Sequence, residues 1–600
     1  MSINTNGRVP IQRNMHRRIL VMILLISEII LTSYIILQNR IYGYELSIYT
    51  TAMWELYFST ISGIFLILYL LLVLGSDTLD ILSFVTILGC AIVFHALIIM
   101  SPQIFGYFVW NADSTTHMGQ SIDIIQLQRI PGDDFYPILH ILTAVTYLLS
   151  HITLYILSPI MSLMFYTLFV LSVYLLHNHI ETSFSSLLSL LIPWIIFPLG
   201  AYEINYTPNG SSMFYIFYIY FVAMLLFKKD ERRFIILYLL SLLILPLFHP
   251  LSTLIFILLM TIYSTTEIRS TKMSHYLIFT YFIIGSIFTL WIFRFNVYTT
   301  KIQFIYDILF RSKSAHYSTN NNEMPIFKKI LSLITIKLGL TKKGALYLLA
   351  KLFADKAILS VLGSYWAYVF LVRPKGHRLT PQWYKDLIKT ITIETIVLLG
   401  AYILIMFSKE FSEIGSTLVF ERILFYIYAL ILVLNVIGIK LNEIVLRKHS
   451  RIFSIVIIII FVVSILEFAS LFYSPYLGVP SPISTKTDIM EFKWYLQKKT
   501  PKIVGYTDFY RLFDILTGYH KAQPKYGITL RQHGKFGNIK LLQCEGYILI
   551  TSMDTHKWKL KGYHSDISKE TFLNLAKYSN KIYDTSNGGG NIWLNQRKKP

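Results

Sequence analysis

Residues 101–134 read SPQIFGYFVWNADSTTHMGQSIDIIQLQRIPGDD, a polar stretch set among long apolar runs. Apolar runs of about 20 residues are what a hydrocarbon core roughly 30 Å thick demands of a helix. The runs therefore read as membrane segments, and the polar stretch as a loop at the boundary between water and lipid. Within it Asp113 and His117 form Asp-x-x-x-His, and Asp133-Asp134 closes it just before Tyr136-Pro137.

Composition points the same way. Of 600 residues, 54% are hydrophobic and 14% charged, against about 25% charged in soluble domains. The formal charge of +21 would suit a nucleic-acid partner. Much of it, however, lies in short loops between apolar runs, which is how cytoplasmic anchoring reads, so no nucleic acid is expected. Two cysteines, Cys90 and Cys544, allow no disulfide framework. The apolar run 19–37 is long and lacks a small-residue cleavage site, so it reads as a first span rather than a cleavable leader.

Arg8, Arg13, Arg17 and Arg18 precede that run with no acidic residue among them, which places the N-terminus in the cytoplasm. Spans at 19–37, 56–74 and 79–100 then put the Asp113 loop on the extracytoplasmic side. Four apolar runs follow, at 138–157, 160–176, 183–201 and 211–227, and the last meets Lys228-Lys229-Asp230-Glu231-Arg232-Arg233. That basic cluster belongs inside only if one of the four does not cross. Residues 138–157, which follow Tyr136-Pro137 and contain His140 and His151, are the chosen exception, re-entrant against the bundle. Later runs at 234–247, 251–264, 275–293, 357–372, 390–407, 417–439 and 452–473 then leave each strongly basic short loop inside. The total is about 13 crossings. A long outer loop, about 294–356, carries an amphipathic piece at 326–353 that reads either as interfacial or as a short hairpin.

Beyond residue 473 the composition changes. Ser474-Pro475 and Pro480-Ser481-Pro482 mark a linker. Helical spacing follows at 486–498 and 568–578, with β-rich runs at 503–506, 547–552, 581–583 and 592–594 and a Gly588-Gly589-Gly590 turn. The expected fold class is thus a polytopic α-helical membrane protein, residues 1–473, bearing a small extracytoplasmic α/β domain, residues 474–600. It is a multi-pass protein of the cell membrane.

This topology gathers distant polar residues on one face: Asp113 and His117, Asp133 and Asp134, Asn205–Ser212, His249-Pro250 and Glu421-Arg422. Taken singly, each has a plain alternative. Asp113 serves equally as a solvated carboxylate capping a helix that starts at Ser114, and His117 and His249 as interfacial histidines. Arg422 reads either as a guanidinium gripping phosphate or as a snorkelling arginine or partner of Glu421. Arg294 and Arg311 in the long loop are further cation candidates, against a reading as solvated charges. Glu28 lies within the first span and needs a partner; His95 is one guess.

With these residues in place, the chain resembles the GT-C superfamily, membrane glycosyltransferases that use polyprenyl-phosphate-linked sugars. Protein O-mannosyltransferases and lipid-A aminoarabinose transferases are among its members. The resemblance covers the general plan: an acidic first outer loop, a multi-span bundle and a soluble C-terminal outer domain. Its specific motifs are Asp113 with His117, Tyr136-Pro137, Tyr206-Thr207-Pro208-Asn209, His249-Pro250 and Glu421-Arg422. The resemblance implies a hexosyl transfer from a polyprenyl-phosphate donor to an extracytoplasmic lipid, glycan or protein acceptor. Asp113 would be the general base, with inversion at the anomeric carbon, and His117, one helical turn on, would be a catalytic partner that orients it or contacts the acceptor. Arg422, Arg294 and Arg311 would hold the donor phosphate, and Asp133, Asp134, His249 and Glu421 would line the acceptor pocket.

A single carboxylate suits that chemistry. Glycosidases need two because an alkoxide leaving group must be protonated, whereas a lipid phosphate leaves with little acid assistance, so a base and phosphate-holding cations suffice. The Asp-x-Asp of oligosaccharyltransferases is absent, since Asp133-Asp134 has no spacer. No cofactor or metal is therefore expected, although a divalent ion stays open. Two rivals come from other classes: a transporter or lipid flippase, which predicts repeats and broken mid-membrane helices, and a non-catalytic membrane scaffold.

Overall fold

The structure, a computed structural model, describes residues 8–38, 53–74, 81–105, 107–109, 112–178, 187–196, 206–229, 234–267, 271–295, 342–372, 382–407, 418–448, 450–471, 484–485, 493–494, 546–550, 580–584 and 591–595. Apart from short strands, they are helical. In chain order the helices are α1 (Arg8–Gln38), α2 (Met53–Leu74), α3 (Ile81–Phe105), α4 (Ala112–Leu127), α5 (Pro137–Ser150), α6 (Leu154–Asn178) and α7 (Leu187–Ile195). They continue as α8 (Pro208–Lys229), α9 (Ile235–Phe248), α10 (Pro250–Glu267), α11 (Thr271–Phe293), α12 (Lys342–Val372), α13 (Gln382–Phe407), α14 (Leu418–Lys448) and α15 (Ser450–Leu471).

By length and composition, α6, α8 and α14 contain segments able to cross a membrane, at Leu154–Leu176, Pro208–Phe227 and Arg422–Leu441. Eight further described helical segments are apolar but shorter. A helix that is apolar on every side has to be covered on every side. The α8 and α14 segments are each 89% buried, whereas that of α6 is 56% buried. So α8 and α14 form the centre. Helix α8 packs against α6, α9 and α10, and α14 packs against α7, α12, α13 and α15. The outer helices turn Leu, Ile and Phe outward instead, among them Leu149, Ile236, Phe282, Leu290 and Val361. This apolar exterior is that of a membrane protein.

Helix α5 is a 14-residue apolar helix, about 21 Å long at 1.5 Å per residue, which is shorter than the hydrocarbon core. It ends where His151 adopts φ 54°, its N–H bonding the Tyr147 carbonyl, and α6 starts three residues later. The amphipathic piece expected at 326–353 is divided differently from that reading. Its part from Lys342 onward is the first half of α12, a single 31-residue helix; residues 326–341 lie outside the described residues. Glu28 finds its partner in Ser62, whose hydroxyl donates to Glu28 Oε1 at 2.7 Å. His95 faces the Trp194 carbonyl at 3.0 Å instead and stacks on Tyr166.

Strand β1 (Tyr107–Val109) pairs antiparallel with β2 (Ser484–Thr485), which brings the segment after α15 against the segment between α3 and α4. Near the C-terminus β3 (Gly546–Ile550), β4 (Asn580–Asp584) and β5 (Asn591–Asn595) form an antiparallel sheet in the order β3-β5-β4. These are three of the four strands expected there. The fourth, 503–506, and most of the two expected helices lie outside the described residues.

Helix α14 meets α12 at a glycine. A Cβ on Gly438 would lie 2.3 Å from Trp366 Cγ, and Trp366 is fully buried. The Gly438→Ala variant should lose about 1–3 kcal/mol, read as a lower unfolding temperature in detergent, while Gly400→Ala, with no atom nearby, should not.

Candidate functional site

Polar side chains collect where α4, α5 and the starts of α8, α10 and α14 meet. Helix α4 carries Asp113 as its second residue and His117 one turn later. Asp113 is thus inside the helix and does not cap one that starts at Ser114. The side chain of Asp113 lies outside what is described. After α4, Gln128 takes φ 52°, and a turn in which the Asp134 N–H bonds the Pro131 carbonyl at 3.3 Å points the two adjacent carboxylates in different directions. Asp133 is exposed and Asp134 is buried. The sequence reading treats them as a pair; the turn divides them.

Asp134 has two partners. Its Oδ1 accepts from the Tyr136 N–H at 3.0 Å, and its Oδ2 accepts from His140 Nδ1 at 2.8 Å. His140, on the first turn of α5, is completely buried. Its Nε2 lies 3.1 Å from His117 Nδ1, and the same His117 nitrogen lies 3.2 Å from Gln120 Oε1. A chain of three side chains therefore runs from a buried carboxylate to a half-buried imidazole on α4. His140 was absent from the candidate residues. Its signal was the i, i+6 spacing from Asp134 across Tyr136-Pro137, which means nothing until Pro137 is known to start a helix.

His249 sits at the joint between α9 and α10 and is buried, its ring stacked on Tyr136 at 5.1 Å. Burial, helped by the charge of Arg422 and by His117, pushes the His249 pKa down to about 3. The imidazole is neutral at physiological pH. Tyr206, just before α8, bonds Thr143 of α5 at 2.7 Å and Ser121 of α4 at 3.1 Å. Burial raises its phenol well above the ordinary range, so it stays a hydroxyl. Ser252 of α10 bridges Ser212 of α8 at 2.6 Å and Tyr426 of α14 at 2.7 Å, one turn along α14 from Arg422. The residues named from sequence on α4, α8, α9–α10 and α14 are thus drawn into one neighbourhood.

Three groups there have polar atoms buried without a hydrogen-bond partner among the described residues: the side-chain amide of Asn209, the Ser211 hydroxyl and Arg422 Nε. Asn209 and Ser211 lie in the first turn of α8, where Pro208 has no N–H, Thr207 Oγ1 takes that of Gly210 at 3.2 Å and the Thr207 carbonyl takes that of Ser211 at 3.1 Å. Arg294 follows α11 directly. It is exposed, with its guanidinium over Trp291 at 5.3 Å, and the Trp291 indole donates to the Phe135 carbonyl at 3.3 Å. Arg311 and the Glu421 side chain lie outside the described residues. Among the described residues no group of three His, Cys, Asp or Glu is placed to hold a metal ion.

The chain is similar to solved structures of ArnT. ArnT from Cupriavidus metallidurans in the apo state aligns with a TM-score of 0.48 and 10% identity, covering 86% of this chain and 98% of that one. The same protein bound to undecaprenyl phosphate aligns with a TM-score of 0.44 and 12% identity over the same shares. No protein family and no curated protein matches the sequence.

A histidine near pKa 6.5 when unfolded and about 3 when folded gives the unfolded state more protons between those values. Stability is full above about pH 6.5 and falls as pH drops, by up to about 1.4 kcal/mol per unit. Thermal unfolding in detergent between pH 8 and pH 5 should show this slope, and His249→Gln should make it shallower by the share that His249 contributes.

Proposed function

We propose that the protein is a membrane glycosyltransferase that moves a hexose from a polyprenyl-phosphate donor to an extracytoplasmic lipid, glycan or protein acceptor. The observation that carries this reading is the unpaired polar set of Arg422 Nε, the Asn209 amide and the Ser211 hydroxyl at the start of α8. Each such buried group costs about 1–3 kcal/mol when unpaired. A helix N-terminus adds partial positive charge, and a guanidinium adds paired donors. The ligand that would satisfy all of these is an oxyanion. Their setting, at the ends of two apolar helices, suits an oxyanion carried on a lipid.

Asp113 acts as general base on the acceptor hydroxyl, one turn before His117 on α4. The acceptor oxygen attacks the anomeric carbon from the face opposite the phosphate, so configuration inverts. The C–O bond to phosphate breaks with its electron pair on the phosphate oxygen, and Arg422 with the α8 N-terminus receives that charge. Arg294 and Arg311 are further donor contacts in this reading, and Asp133, Asp134, His249 and Glu421 border the acceptor. The site faces away from the cytoplasm, with the N-terminus inside and the C-terminal strands outside.

One observation favours a transporter instead. Glu394, Glu467 and Asp355 are fully buried within α13, α15 and α12, and intramembrane carboxylates often mark ion paths. A transporter would keep its flux when Asp113 is neutralised.

Asp113→Asn and Asp113→Ala should both abolish transfer of radiolabelled sugar from an undecaprenyl-phosphate donor, with unfolding temperature unchanged; normal transfer by both would overturn the reading. Arg422→Gln should weaken donor binding by about ten- to a hundredfold, the worth of one charged hydrogen bond, read as a rise in donor KM.

A further inference from the structure

The three-membered chain on α4 and α5 fixes where a proton can go. Asp134 Oδ2 is a carboxylate oxygen 2.8 Å from His140 Nδ1, so Nδ1 carries the hydrogen and donates it. In a neutral imidazole the other nitrogen is then an acceptor. His140 Nε2 therefore accepts from His117 Nδ1 at 3.1 Å. Gln120 Oε1, a second acceptor 3.2 Å from the same His117 nitrogen, demands a hydrogen there too. By elimination, neutral His117 holds its basic lone pair on Nε2. A proton arriving there makes an imidazolium whose Nδ1–H is already bonded toward a buried carboxylate. This is the arrangement by which an acid behind an imidazole sets its tautomer and stabilises its cation.

The inference rests on the glycosyltransferase reading. We propose that His117 is a second catalytic group on α4, taking the acceptor's proton from Asp113, and that Asp134 and His140 are positioning residues that hold His117 in the accepting tautomer. Residues four apart on a helix have neighbouring side chains, and Asp113 and His117 have that spacing. The step balances. The acceptor O–H bond breaks and its proton passes to the Asp113 carboxylate, then to His117 Nε2. Asp113 returns to its anionic form, and the imidazolium gives the proton to water once the product leaves. A carboxylate of ordinary acidity holds a proton poorly at neutral pH; an imidazole backed by a carboxylate holds it better.

Several of the described residues face His117. His140 comes from α5 and the Tyr136 ring from the preceding loop, at 6.1 Å. His249 comes from the α9–α10 joint, with Arg422 of α14 beyond it, and Gln120 lies on α4 itself. His249 is neutral. Asp134 acts on His117 through His140.

Two measurements on the full-length protein in detergent decide the proposal. The first needs no substrate: nitrogen NMR of protein labelled at histidine, with His117 assigned by its loss in His117→Gln. At pH 8 His117 should show a protonated Nδ1 and an unprotonated Nε2. In Asp134→Asn and His140→Gln that preference should vanish, and the His117 titration midpoint should fall by about one pH unit. A protonated Nε2 in the wild type, or an unmoved midpoint in both variants, overturns the relay whatever the protein does. The second is the pH profile of transfer from an undecaprenyl-phosphate hexose to a membrane-lipid extract. His117→Gln should lower kcat about a hundredfold with donor KM unchanged, and should remove the acid limb near pH 6–7. Asp134→Asn should lower kcat at least tenfold and move that limb to lower pH. Activity lost in Asp113→Asn but with a wild-type profile in His117→Gln overturns the relay and leaves the transferase standing. Wild-type protein inactive toward the donor would overturn the transferase and with it the relay's catalytic role.

Discussion

Two helices apolar on all sides have to be the middle of this molecule, and everything else follows from covering them. The α8 and α14 segments are the most deeply buried of the three candidate spans, and the neighbours around them present apolar faces both inward and outward. In such a setting a polar side chain cannot rely on water and must find a partner in the protein. Ser212, Ser252 and Tyr426 do so across three helices, and Tyr206 does so with Ser121 and Thr143. These contacts pin the starts of α8, α10 and α14 to the α4–α5 hairpin. The polar end of the bundle is held together by the same economy of hydrogen bonds that keeps its apolar part dry.

Against that background the exceptions carry the functional argument. Asn209, Ser211 and Arg422 break the rule at one end of the two central helices. The Asp134–His140–His117 chain obeys the rule, but at the cost of burying a carboxylate and an imidazole whose only evident return is to orient a third group. In the proposed reading, the first set holds an oxyanion and the second orients a histidine beside it. The strand pair β1–β2 adds that Ser484–Thr485, after α15, lies beside the segment that leads into α4 although it is hundreds of residues away.

Hydropathy alone determined the membrane class, most helix positions and the polar residues worth testing, because burial in lipid leaves its mark residue by residue along the chain. His249-Pro250 as a helix joint and three of the C-terminal strands were legible for the same local reason, whereas the run read as 138–157 is broken at His151, where α5 ends and residues 154–157 pass to α6. Only the tertiary structure decided which polar residues meet. Asp133 and Asp134 are adjacent and chemically identical, yet a turn at Pro131 buries one and exposes the other. His140 acquires a role because Pro137 starts a helix that lays its first turn against α4. Asn209 stands out only because its amide is buried without a partner, a property of its surroundings rather than of its identity. Periodicity and composition report what one residue prefers, whereas a site depends on distances between residues far apart in the chain, and those are set by packing.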